Sequence, residues 1–121
     1  MTTYEKMFVK RLIKVIDGDT IKVDVYGYPP IFGLGISVRI NGIDTPELRD
    51  KNPEIKILAV EAKDVVKEYL EKADMIVLDN PQRGKYFRVV ADVIADGINI
   101  SEILLAEDLA KRYYGGTKEK W

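Results

Sequence analysis

Three stretches near the start of the chain predict β-strands. The first is rich in β-forming residues, and in the other two apolar and polar residues alternate with a period of two. The stretches are residues 7–16, 20–26 and 36–42. An Asp17-Gly18 pair separates the first two and is typical of a tight hairpin turn. Residues 27–35 contain paired prolines and several glycines and are predicted to form a loop. By parity, Arg39 belongs to the polar face of the third strand.

A longer stretch, residues 53–72, repeats apolar residues at helical spacing and predicts one amphipathic helix. Asn52 suits the N-cap of this helix, and Pro53 suits its first position. The apolar stripe that should dock on the sheet is formed by Ile55, Leu58, Ala59, Ala62, Val65, Val66 and Tyr69.

The second half of the chain predicts two more strands and a second helix. The strands are expected at residues 75–79 and 88–96, with a basic turn at residues 80–87 between them. Asn99, followed three residues later by Glu102, is a capping signal for a helix over residues 100–110. The remaining C-terminal residues show no clear periodicity.

The resulting order is three strands, a helix, two strands and a helix, which indicates an α+β, mainly β fold. It suits a five-stranded OB-type β-barrel with two packed helices. The length of 121 residues predicts a single domain that covers residues 1–121.

The composition excludes several classes of chemistry. Cysteine and histidine are absent, which removes disulfides, thiol catalysis, the commonest general base and the commonest zinc ligand. Serine occurs only at Ser37 and Ser101, and without histidine a Ser–His triad is impossible. Any catalysis must therefore use carboxylates, Lys, Arg, Tyr or Thr, for which an oxygen-liganded hard metal is the natural cofactor.

The net charge of −1 gives the chain no overall attraction to nucleic acid, so any such contact must come from local cations. Those expected to contribute are Arg83, Lys85, Lys111, Arg112, Lys118 and Lys120. No apolar stretch is long enough to span a membrane, and the N-terminus lacks a secretory apolar region. A monomer without a membrane partner is expected, either cytoplasmic or a processed or excised domain.

Acidic and basic residues recur at the predicted strand ends. They are Asp19, Asp44, Glu47, Arg39 and Arg88. Each alone has a plainer explanation, because aspartates shape turns and single arginines are most often surface charge. A barrel, however, brings strand ends together on one rim. There, carboxylates could bind a hard cation while arginines bind phosphate in a bidentate fork.

Four motifs, in order and with compatible spacing, give a more specific indication. They read "VIDGDTIKV", "VRINGIDTPEL", "GKYFR" and "DGINISEILLAEDLAKRYY". Along most of its length the chain resembles the staphylococcal-nuclease-like (thermonuclease) family. The resemblance implies a calcium site formed by the carboxylates of Asp19 and Asp44 and the carbonyl of Thr45. It also implies that Glu47 positions or deprotonates the attacking water.

The same resemblance implies that Arg39 and Arg88 bind the scissile phosphate. Three further residues are expected to line the nucleotide site: Lys85, Tyr86 and Tyr114. The family motif usually has glycine where this chain has Phe87, an exchange able to alter the turn and the direction of Arg88. Asp17 is expected to bond turn amides and not to bind metal.

The function that follows is a calcium-dependent nuclease that cuts DNA and RNA with little sequence preference, with a 3′-phosphate product implied by the resemblance. One alternative is a weakly active or inactive module of this fold that binds nucleic acid or protein. Another is an OB barrel used only for protein contacts, which predicts no calcium binding. The presence of both metal acids, Glu47 and both arginines favours the enzyme.

Overall fold

The computed structural model describes residues 2–121, except for the side chain of Tyr86. In chain order, its elements are β1 (Met7–Asp17), β2 (Thr20–Val25), α1 (Pro30–Gly33), β3 (Ile36–Ile40), β4 (Ile43–Asp44), α2 (Pro53–Lys72), β5 (Ile76–Arg83), β6 (Val89–Ala95), β7 (Ile98–Asn99), α3 (Ile100–Ala106) and β8 (Lys111–Arg112). A short 3₁₀ turn covers Lys85–Phe87. None of the helices in these residues is long and apolar enough to cross a membrane.

Five strands close into a barrel in the order β3-β2-β1-β5-β6. Antiparallel pairing joins each neighbour along this order, and a parallel pairing of β3 with β6 closes the ring. In that closing pair Val38 lies opposite Val89 and Ile40 lies opposite Ala91. The mainly β, OB-type barrel predicted from the sequence is confirmed. A separate two-stranded sheet pairs β4 with β8.

Alternate strand residues fill the barrel, as the period of two predicts. Those with no exposed surface include Ile21, Val23, Val38, Ile40, Leu78, Ala91 and Val93. Helix α2 packs against this core with Ala62, Val66 and Leu70. Leu70 is buried whereas Tyr69 is exposed, so the predicted stripe was wrong at its last position. Leu70 continues the i, i+4 row from Val66, which explains the difference.

Side-chain caps fix the start of both long helices, as the sequence predicted. The Asn52 side chain accepts a hydrogen bond from the Glu54 amide at 2.9 Å, and Asn99 accepts one from the Ser101 amide at 2.9 Å. The end of α3 was predicted wrongly, because the helix stops at Ala106 and not at residue 110. Asp108 there has a left-handed φ of 57°, which turns the chain back so that β8 can pair with β4.

The short strands β4, β7 and β8 were not predicted, and β5 and the loop before β3 also differ from the prediction. Strand β5 continues to Arg83 through a segment predicted as a turn. Its register shifts between Asp79 and Gln82, and Asn80 has a left-handed φ of 48°, so a bulge accommodates the proline at this point. The predicted loop before β3 contains the single-turn helix α1, whose first turn is closed by the Pro29 carbonyl.

Candidate active site

The hairpin turn between β1 and β2 lies directly against α2 and against the segment that follows β4. A Cβ atom at Gly18 would lie 2.9 Å from Ala62 Cβ and 2.9 Å from Thr45 Cγ2. Only glycine permits this close approach. As a result, Asp19 meets the second acidic motif, and its Oδ2 accepts a hydrogen bond from the Thr45 amide at 3.4 Å.

One guanidinium faces the two aspartates predicted to bind metal. Pairing of β2 with β3 sets Thr20 opposite Arg39, beside Asp19. Arg39 Nη1 lies 3.5 Å from Asp19 Oδ2, and Arg39 Nη2 lies 3.9 Å from Asp44 Oδ1. The Arg39 side chain is only 15% exposed and that of Asp44 8%. The cluster is therefore largely shielded from water, where electrostatic interactions are stronger.

Arg39 is only partly satisfied by these contacts. Its Nη1 donates to the Ile40 carbonyl at 3.3 Å. Its Nη2 is buried and has no hydrogen-bond partner in the described part of the chain. A buried donor without a partner is costly, so this nitrogen is suited to an anionic oxygen that enters the site.

An open cavity of about 480 Å³ gathers the acidic and basic groups. Its charged lining includes Asp17, Asp19, Asp44, Glu47, Arg39, Arg88 and Lys118. The structure thus brings together the predicted metal acids, the predicted base and both predicted phosphate-binding arginines. Thr45, the third predicted metal ligand, lines the same cavity and is buried. Glu47 is exposed at the cavity and accessible to water.

The two aspartates of the hairpin turn have opposite electrostatic environments. Burial raises the pKa of Asp17 from 3.8 to about 6, and its hydrogen bond to Asp19 and the charge of that residue add to the shift. Burial also acts to raise the pKa of Asp19, but hydrogen bonds from Asp17, Thr20 and Thr45 and the charge of Arg39 outweigh it and lower the pKa. Asp17 Oδ1 accepts the Asp19 amide at 3.1 Å, which is the turn contact that the sequence predicted.

The Phe87 exchange leaves Arg88 at the cavity. Phe87 has a left-handed φ of 62° and a side chain that is 96% exposed. Glycine adopts this backbone conformation without strain, so the glycine expected here from the resemblance would suit the turn. The Arg88 amide donates to the Lys85 carbonyl at 3.2 Å, and the Arg88 carbonyl accepts the Gly84 amide at 2.7 Å, so the turn remains closed.

Of the residues predicted to line the nucleotide site, Lys85 and Tyr114 lie outside the cavity lining. Lys85 is exposed on the 3₁₀ turn, and the side chain of Tyr86 falls outside the described part of the structure. Tyr114 is exposed and packs over Gly42, where a Cβ atom would lie 3.1 Å from its hydroxyl oxygen. Their roles in substrate binding stay predictions.

Three residues contact the site's charged groups although the sequence did not predict them there. The Tyr113 ring lies between two cations, with its centroid 5.8 Å from Arg39 Cζ and 5.4 Å from Lys118 Nζ. Lys118 Nζ is 3.1 Å from Asp44 Oδ1, and Trp121 Nε1 donates to Asp44 Oδ2 at 3.4 Å. The C-terminal residues carry no periodic signal, and the two-residue pairing of β8 with β4 brings them toward the site.

Comparison with known proteins gives an independent result. A family model described as staphylococcal nuclease homologue matches residues 37–120. This range includes all of β3 except its first residue, together with β4 and the acidic motif that ends at Glu47.

Curated relatives agree with this match. The chain is 34% identical over 112 residues to endonuclease YncB of Bacillus subtilis, which is 91% of this chain and 50% of the relative. It is 32% identical over 102 residues to thermonuclease of Staphylococcus hyicus, covering 84% of this chain and 57% of the relative. The chain thus spans about half the length of these two relatives. On the strength of the family model and these relatives, the chain belongs to the staphylococcal nuclease homologue family.

Proposed function

We propose that this domain is a nuclease that hydrolyses phosphodiester bonds of DNA and RNA with low sequence specificity. The observation that carries the proposal is the buried Nη2 of Arg39, which has no hydrogen-bond partner among the described residues and lies in one cavity with Arg88 and four acidic groups. A phosphate is the anion whose oxygens match a guanidinium fork. Two relatives that bear nuclease names support the same reading.

Arg39 and Arg88 have the role of holding the phosphate. In phosphodiester hydrolysis, negative charge grows on the phosphate oxygens as water attacks, and preorganised cations stabilise that charge. Arg39 is preorganised because Asp19, Asp44 and the Ile40 carbonyl fix its position. Arg88 lines the same cavity.

Glu47 has the role of taking a proton from the attacking water. It is the carboxylate in "DTPE" that stays exposed at the cavity, whereas Asp44 in the same motif is buried. Pro46 lies between this motif's two acids, is buried and has a fixed φ, so it sets their relative orientation. In a chain without histidine, a carboxylate is a suitable general base.

The residues fit a calcium ion held by few protein ligands. Within residues 2–121 no three acidic side chains cluster closely enough to form a metal cage. The proposed ligand set is therefore small, two carboxylates and one carbonyl, as the family resemblance implies. Asp19, Asp44 and Thr45 would hold the ion, leaving positions for water and a phosphate oxygen. Calcium accepts such an irregular oxygen shell, and when bound it would act as a Lewis acid on the phosphate.

Digestion of a plasmid and of a single-stranded oligonucleotide tests the proposal. Cleavage of both substrates is expected in calcium, and none is expected in excess chelator. Glu47→Gln should still bind the oligonucleotide in calcium without cutting it. Binding without cleavage by the wild-type protein would instead identify a nucleic-acid-binding module. Absence of both binding and cleavage would reject the nuclease.

A further inference from the structure

Residues 113–121, here called the C-terminal strap, fold back onto the candidate active site. Strand β8 leads into the strap, and the Tyr113 amide donates to the Gly42 carbonyl at 2.9 Å. The Tyr113 hydroxyl donates to the Gly116 carbonyl at 3.2 Å and tightens the turn that follows. The strap is therefore tied to the barrel at its start.

The far end of the strap is also anchored. Lys111 Nζ donates to the Lys120 carbonyl and lies 4.6 Å from the centroid of the Trp121 ring. Trp121 Nε1 donates to Asp44 Oδ2 at 3.4 Å. These contacts hold Lys118 between two fixed points of the strap.

The strap engages both oxygens of one buried carboxylate. Lys118 Nζ lies 3.1 Å from Asp44 Oδ1, while Trp121 bonds Oδ2 of the same group. Asp44 is one of the two carboxylates proposed above to hold calcium. An ammonium group and a divalent cation cannot share one carboxylate oxygen without strong repulsion. Lys118 therefore pairs with the carboxylate oxygen, Asp44 Oδ1, that the proposed function requires as a metal ligand.

We infer that Lys118 is an exchangeable cation of this site, a role that rests on the proposed function. Without metal its ammonium neutralises Asp44; when a divalent cation binds Asp44, the ammonium moves to the phosphate of the substrate. Lys118 lines the cavity that contains Arg39 and Arg88, and its side chain is 47% exposed, so its flexible stem can turn. The Tyr113 ring, 5.4 Å away, holds the ammonium near the cavity in either position.

The exchange couples metal binding to substrate binding. Without nucleotide, the metal must displace Lys118 from Asp44, and this lowers the affinity of the site for the metal. A bound phosphate gives the displaced ammonium a new partner. Metal and nucleotide should consequently strengthen each other's binding by the same factor. Removal of the ammonium should reduce that factor.

Calorimetric titration of calcium, with and without a nucleoside 3′,5′-bisphosphate, tests this in Lys118→Gln. Lys120→Gln is the matched control, because it makes the same charge change on the same strap and no ion pair joins Lys120 to Asp44 among the described residues. Without nucleotide, Lys118→Gln should bind calcium roughly fivefold more tightly than the control, the upper range for one ion pair. The factor by which nucleotide strengthens calcium binding should be smaller in Lys118→Gln than in the control. Lys118→Arg keeps the positive charge and should have the wild-type calcium affinity and coupling factor. Circular dichroism verifies that each variant is folded.

The outcomes separate this inference from the proposed function. If the wild type cleaves nucleic acid with calcium while the two glutamine variants bind calcium equally, the role of Lys118 is rejected and the nuclease stands. If the wild type neither binds calcium nor cleaves, both proposals fall. Trp121→Phe keeps an aromatic face for Lys111 but loses the bond to Asp44, so it should shift calcium affinity in the same direction by a smaller factor. An opposite shift would contradict the anchoring role of the strap.

Discussion

Two cavities of this molecule have similar sizes and very different linings. The site cavity has a volume of about 480 Å³, and a groove between β1 and α2 has about 570 Å³. The charged lining of the groove is Lys10, Arg11, Lys14, Lys63, Lys67, Glu71 and Asp74. The larger space is thus dominated by cations, whereas the smaller one combines several acids with arginines.

The two cavities differ in how strongly their charged side chains are exposed to water. In the groove, Lys10, Lys14 and Lys67 are exposed, and long side chains there can cover apolar surface while their ammonium groups remain solvated. In the site, Arg39 is shielded and one of its nitrogens has no hydrogen-bond partner in the described residues. Desolvated, converging charges of opposite sign mark a reactive centre better than cavity volume does.

Of the changes considered for the site cavity, removal or exchange of the metal should have the largest effect on cleavage. Cleavage should fall to the detection limit in chelator, return with calcium and return poorly with magnesium, which demands a tighter octahedral shell than two carboxylates and a carbonyl provide. Activity assays in each metal measure this. Calcium should also bind weakly in a calorimetric titration until a nucleotide bisphosphate supplies another oxygen. Equal activity in magnesium, or full activity in chelator, would reject the calcium mechanism.

Glu47→Gln should lower kcat roughly a hundredfold to ten-thousandfold, because a general base acts in the transition state. Nucleotide affinity should change little, since the carboxylate does not bind the phosphate. Glu71→Gln makes the same chemical change in the groove and should leave kcat unaltered. Steady-state kinetics of both variants measure the contrast. A normal kcat in Glu47→Gln would exclude the water-activating role.

Arg39→Lys should lower kcat/KM roughly a hundredfold, comparable to the loss of one strong donor in an active site. Lysine keeps the charge but cannot bridge Asp19, Asp44 and a phosphate with separate nitrogens. Arg11→Lys is the groove counterpart, where the arginine pairs with Asp24 at 3.1 Å outside the site. Its kcat/KM should stay within about twofold of the wild-type value, as expected for a residue remote from the chemistry. Similar losses in the two variants would remove the distinction between the cavities.

At neutral pH, the Asp17→Asn variant should be more stable than the wild type, and this advantage should grow as pH rises. The raised pKa of Asp17, about 6, means that the folded state holds a proton that the unfolded chain releases near 3.8. The stability due to this proton is present below pH 3.8 and is lost as pH rises through 6. Asparagine mimics the protonated form at every pH. Its gain at pH 7 should be about 1 kcal/mol after allowance for solvent screening, or roughly 4 °C in Tm.

Thermal unfolding in chelator at pH 4 and pH 7 measures this gain. The two proteins should have similar Tm values at pH 4, because both then carry an uncharged group at residue 17. Calcium affinity should be nearly unchanged in Asp17→Asn and strongly reduced in Asp19→Asn. Equal losses of calcium affinity would refute the assignment of Asp19 alone as a ligand from this turn.

Local sequence signals predicted most of the barrel. The hairpin signalled by Asp17-Gly18, the caps at Asn52 and Asn99 and the parity of Arg39 each depend on a few adjacent residues, and the structure has all of these features. The turn itself is one residue later than predicted, because Asp17 ends β1 and pairs with Thr20. The shielding of Arg39 did not follow from parity, because the ring of Tyr113 that faces it comes from a distant part of the chain.

Contacts between distant segments account for what the sequence did not predict. Strand β8 has only two residues, too few for a periodic pattern, yet it ends α3 early and directs the strap to Asp44. From the sequence, Lys118 was predicted only as one of several local cations. Trp121 belonged to C-terminal residues that show no periodic pattern. Their place at the site depends on the pairing of β8 with β4, which no local signal encodes.

The smallest effect is expected from Lys63→Gln combined with Lys67→Gln. These lysines line the groove, and no ion pair within the described residues involves them. At about 0.15 M salt, charges more than roughly 8 Å from a bound strand are largely screened, so kcat/KM on a short oligonucleotide should stay within about twofold of the wild-type value. At low salt a modest loss is expected, because unscreened lysines attract the substrate over longer distances. Kinetics at both salt concentrations, with Lys56→Gln on the same helix as a control outside the groove, measure the effect. A large loss at physiological salt in the double variant alone would show that the groove carries nucleic acid to the site, and the two cavities would then be parts of one binding surface.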